Sequence, residues 1–108
     1  MPQYIFIYLG GEHPNDPKEG KKHFEKYQAW LSTLGDAVVS PAIPFKDTHT
    51  VHSDGKIEQG TITLMSGMSI LKLESMQAAL EAANSCPFLE INGKLEVSEM
   101  IEMSKTVN

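Results

Sequence analysis

Residues Tyr4 to Leu9 read YIFIYL and are followed at once by Gly10-Gly11. No position in that run is charged, and both alternating sets are apolar: Tyr4, Phe6, Tyr8 on one side and Ile5, Ile7, Leu9 on the other. Successive side chains on a strand point to opposite faces, so this strand has no side suited to water. The run therefore predicts a central strand with both of its faces covered, and the rest of the chain has to supply the covering.

The remaining elements follow in order. Gly11 to Pro17 is a turn-rich loop containing two prolines. Helical periodicity then runs from about Lys18 to Leu34, and Gly35 stands where a glycine commonly closes a helix. Ala37 to Ser40 predicts a second strand, ended by Pro41 and Pro44. Thr48 to Ser53 predicts a third, and Ser53-Asp54-Gly55-Lys56 is a hairpin turn signal. A further strand or strands fall within Thr61 to Leu73. Ser75 is a helix N-cap for a short helix through Asn84, with Met76, Ala79, Leu80 and Ala83 at helical spacing. Cys86-Pro87-Phe88 breaks it, Asn92-Gly93 turns the chain, and Leu95 to Met103 is the last strand. The order β-α-β-β-β-α-β predicts an α+β sandwich with both helices on one face of the sheet, and a ferredoxin-like arrangement with an inserted or extended hairpin accommodates it. At 108 residues the chain is one domain, residues 1–104, with 105–108 as a frayed tail.

Two helices cover only one sheet face. Met65, Ile70, Met100 and Met103 add apolar positions to the second face on other strands. An uncovered face of that kind is a liability in water, and packing it on a copy of itself about a two-fold axis removes the liability. The expected state is a homodimer in which two sheets face each other. The net charge of −5 argues against a nucleic-acid partner, since the basic residues do not cluster outside Lys18, Lys21, Lys22 and Lys26. The apolar run at the N-terminus is too short for a membrane span and lacks the flanks of a signal peptide. The single Cys86 permits no intrachain disulfide, so a reducing, cytoplasmic setting is expected.

On the first helix, Phe24, Tyr27, Leu31 and Leu34 form a stripe about 80° wide at roughly 100° per residue. His23 and Trp30 project together along one flank of that stripe, two turns apart. This is a border position, where the wall of a cleft would stand. Histidine suits general acid–base work near neutral pH, and tryptophan beside it supplies an apolar wall for a planar ligand. The bland alternative is a boundary histidine bonded to water or to a carbonyl.

The "YIFIYLGG" strand, the "HFEKYQAWLSTLGDAVVSP" helix and strand, the "VHSDG" turn and the "MQAALEAANSCPFLEINGKLEVSEM" end resemble the YCII-related (DGPF-type) domain family over nearly the whole length. The resemblance implies a dimeric α/β barrel of ferredoxin-like subunits, with a cleft between sheet and first helix. It further implies His23 as a catalytic base, since the family's proposed base is a helix-one histidine. The aspartate that pairs with it in some members, just after the first strand, has no counterpart: Gly10, Gly11 and Glu12 stand there, which leaves Glu12 as the nearest carboxylate. The signature turn is half present, because Asp54-Gly55 is followed by Lys56-Ile57. A few relatives carry out lyase-like or dehydrochlorinase-like steps on small cyclic compounds, and others look like binding domains.

Glu99 is a further candidate. It sits among Leu95, Val97, Ile101 and Met103 on one side of the last strand, where a desolvated carboxylate would need a partner. Asp36 reads as a turn residue. His49 and His52, three apart on a strand, point to opposite faces and make a poor metal pair. His13 lacks identifiable co-ligands, and Cys86 has no neighbouring base. No cofactor or metal is expected. The reading at this point is proton transfer on a small, partly apolar molecule, with His23, Glu99 and Glu12 as catalytic candidates and Tyr4, Phe6, Tyr27, Trp30 and Met68 as walls. The other class left open is a non-catalytic binding or accessory dimer using the same cleft.

Overall fold

The computed structural model describes residues 1–12 and 16–101. The elements are β1 (Gln3–Gly10), α1 (Pro17–Leu34), a 3-10 turn (Gly35–Ala37), β2 (Val38–Pro44), β3 (His49–Val51), β4 (Ile57–Gln59), β5 (Met65–Lys72), α2 (Met76–Asn84), a second 3-10 turn (Pro87–Ile91) and β6 (Gly93–Met100). The main sheet is four-stranded, ordered β2-β5-β1-β6, with every neighbouring pair antiparallel. β3 and β4 form a separate two-stranded hairpin. This is α+β architecture compatible with a ferredoxin-like fold, the hairpin being inserted between β2 and β5. β1 lies between β5 and β6, the interior position that its two apolar faces require.

The helices are defined by their ends. The Asp16 carboxylate accepts from the Lys18 backbone N–H at 2.9 Å, and Pro17 occupies the first turn, where its missing N–H is not needed. Gly35 closes α1 at φ 54°, a conformation that side chains with a Cβ avoid. Ser75 caps α2 by accepting from Ala78 N–H.

Three elements differ from the sequence expectation. β2 continues through Pro41 to Pro44 because it is an edge strand, with no partner required on its outer side. Register slips after Val38 and after Ser40 mark the adjustment. A fourth short strand, β4, completes the hairpin, so the order is β-α-β-β-β-β-α-β. The last strand ends at Met100; Met103, expected on it, lies outside the described residues, as do the 102–108 tail and His13.

The register fixes which residues share a face. Tyr4, Phe6 and Tyr8 pair with Leu71, Ser69 and Gly67 on β5 and with Glu99, Val97 and Leu95 on β6. Tyr4, Phe6, Tyr8 and Leu71 are buried together with Trp30 of α1 and with Ala79 and Ala83 of α2, so both helices cover this inner face. Burying such side chains stabilises by about 1.5–3 kcal/mol each. The Trp30 indole N–H donates to the Ala82 carbonyl at 3.0 Å and ties the two helices together. Ile5, Ile7, Ile70 and Met68 belong to the outer face and are half-buried. Among the described residues, no helix is long and apolar enough to cross a membrane.

Candidate functional site

A cleft of about 470 Å³ opens between α1, the β2 edge and the turn after α2. That volume is within the range of about 300–1,000 Å³ typical of small-molecule sites. His23 and Tyr27 reach it from α1, one helical turn apart on the same face. Glu12 comes from the segment after β1, held by its backbone N–H donating to the Ile91 carbonyl at 2.8 Å. Phe88 and Ile91 of the second 3-10 turn and Gly67 of β5 complete much of the wall. Among the described residues the lining contains neither lysine nor arginine, and its charged and titratable members are Glu12 and His23, beside two tyrosines.

The tyrosines form the polar end of the cleft. The Tyr8 and Tyr27 hydroxyls are hydrogen-bonded to each other, and the Tyr8 oxygen lies 2.7 Å from Ser69 Oγ. Phe88 packs on Tyr8 with ring centroids 5.0 Å apart, and Tyr27 on Trp30 at 5.3 Å. Burial above all raises the Tyr27 pKa well above the ordinary tyrosine value. Tyr8 is raised too, mainly by burial. Both groups therefore stay protonated across any working pH.

The residues singled out from sequence divide. His23, Glu12 and Tyr27 line the cleft. Tyr4 and Phe6 do not: at 2% and 0% exposure they are sealed beneath the helices. Trp30 is core rather than border, 5% exposed against 61% for Phe24. The buried side of α1 is rotated toward the tryptophan, because the larger indole fills the space over Phe6 and reaches the Ala82 carbonyl. Phe24 is left at the cleft mouth. Met68 sits on the outer face, paired with Ile7, and cannot meet the inner aromatics.

Glu99 shares the inner side, as expected, yet it is exposed near the end of an edge strand. Its register partner is Tyr4, four residues and roughly 13 Å along β1 from Tyr8. Burial first, and the Glu99 carboxylate second, raises the Tyr4 pKa. Asp36 lies in the turn after α1. His49 and His52 face carboxylates of their own hairpin, Asp47 at 3.7 Å and Glu58 at 3.3 Å. Cys86 is buried, 2% exposed.

Sequence reasoning missed Tyr8 and Ser69 as parts of the site. Ser69 carried a signal: it is an isolated hydroxyl within the apolar run Met68 to Leu71, and a buried hydroxyl needs a partner. Compared with models of known protein families and with curated proteins, the chain matches none.

Proposed function

We propose that this chain is a small YCII-related protein that moves a proton on a small, partly apolar molecule bound in the α1 cleft. His23 acts as the acid–base group and Glu12 as the carboxylate that lines the same cleft. One observation carries this reading: His23 and Glu12, separated by a loop in sequence, line the same cleft, whose other walls are largely apolar and aromatic. A titratable pair in an apolar pocket is a recurring arrangement for proton transfer. The exposed position of Glu99 near Tyr4 supports Glu12 over Glu99 as the partner. The same reading has the outer sheet face pack on a second copy, which would give a dimeric α/β barrel in the cytoplasm. Ile5, Ile7, Ile70 and Met68 on one continuous face support that arrangement.

The test is carbon–hydrogen exchange. Small cyclic ketones are incubated in D₂O with the protein, and deuterium incorporation beside the carbonyl is followed by NMR. The wild type is expected to accelerate exchange, and His23→Ala to lower that acceleration by about 10²-fold or more at unchanged circular dichroism. A wild type that shifts on ligand addition without accelerating exchange would instead be a binding domain.

A further inference from the structure

Ser69, Tyr8 and Tyr27 set three hydroxyls in line from the sheet to the cleft. Each hydroxyl has one proton to give and lone pairs to receive. Tyr8 stands in the middle and has a single proton for two neighbours. If Tyr27 donated to Tyr8 and Tyr8 to Ser69, the Ser69 proton would need an acceptor of its own. Ser69 is 0% exposed, and among the described residues its hydroxyl has no hydrogen-bond partner but Tyr8. If both outer hydroxyls donated to Tyr8, the Tyr8 proton would have to reach the cleft from a side chain only 4% exposed, whereas Tyr27 is half-buried. A buried donor without an acceptor is costly in either case. The remaining polarity satisfies every buried proton: Ser69 donates to Tyr8, Tyr8 donates to Tyr27, and the Tyr27 proton is left to face the cleft.

We infer that Tyr27 is the hydrogen-bond donor of the cleft and selects ligands whose polar atom is a neutral carbonyl-type oxygen on a small apolar body. The lining favours a neutral acceptor over an anion, because among the described residues it carries Glu12 and no lysine or arginine. Bound this way, the carbonyl lies one helical turn from His23. The inference rests on the cleft being a small-molecule site, and its test separates the two.

Acetophenone and ethylbenzene have nearly the same size and differ in the carbonyl. Each is titrated into isotope-labelled full-length protein, with shifts of the Tyr27 and His23 ring signals as the readout. Acetophenone is expected to bind about fivefold tighter than ethylbenzene, and Tyr27→Phe to abolish that preference. Ser69→Ala leaves Tyr27 as the hydrogen-bond partner of the Tyr8 hydroxyl among the described residues, so the preference for acetophenone is expected to persist, and its loss in a folded Ser69→Ala protein would overturn the assigned direction. If both compounds shift the cleft signals equally and Tyr27→Phe changes nothing, the donor assignment is overturned while the cleft stands as a site. If neither compound shifts them, the small-molecule reading falls, and this inference falls with it.

Discussion

Cys86 shows how one buried side chain makes stability depend on pH. Burial pushes its thiol up to about 11, against a smaller opposing effect of its backbone contact at Phe88. The raised value favours the neutral thiol in the folded state. Its contribution is therefore complete below the ordinary value of 9.0 and is lost as pH rises through about 11. Tyr8 and Tyr27 act in the same direction from 10.0 upward. Urea unfolding midpoints at pH 8 and pH 11 should fall less for Cys86→Ala than for the wild type, the difference being the cysteine's share. Side chains of this kind were only partly legible in the sequence. His23 was readable beside the apolar stripe of α1, whereas Glu12 was reached only through the family resemblance, as the carboxylate just after the first strand. Trp30 and Phe24 exchanged roles, because a helical wheel weighs apolar residues alike and takes no account of which one fits the space above Phe6.

Element boundaries followed their local chemistry. Asp16, Gly35 and Ser75 end or begin helices for reasons visible in sequence, and both helices lie within a residue or so of expectation. β4 was missed because three exposed residues, Ile57 to Gln59, carry too little pattern to show themselves. The close packing of β2 on β5 was not legible at all, since it depends on Gly67. A Cβ there would sit 2.9 Å from the Ile43 carbonyl oxygen and 3.3 Å from Pro44 Cα. These are backbone atoms with little room to yield. Gly67→Ala should therefore cost about 1–3 kcal/mol by urea unfolding. Gly20→Ala on α1, where a Cβ meets nothing within 4 Å, is the control and should be neutral or stabilising by up to about 1 kcal/mol.

The protein measures 51 × 37 × 18 Å, with a radius of gyration of 15.8 Å. A compact chain of this length has a radius near 13 Å. The excess comes from a two-layer plate with a separate hairpin. The alternation in β1 revealed an apolar outer face, but alternation alone does not say what covers it. If a second copy does, light scattering will give twice the chain mass, and Ile7→Glu will return it to the single-chain mass with its circular dichroism retained. A wild type at the single-chain mass across micromolar to millimolar concentrations would remove the dimer from the proposal.

The central place of β1 also sets a timetable. It leaves the ribosome before the other strands of its sheet, and its partners are β5 and β6, more than fifty residues later. At about 5–20 residues per second, the run YIFIYL waits several seconds, apolar on both faces, before either edge can be paired. The fold has little local β-pairing to begin with, so its folding rate is governed by closing that long loop. During synthesis the chain depends on α1 forming early enough to shelter one face of its own first strand.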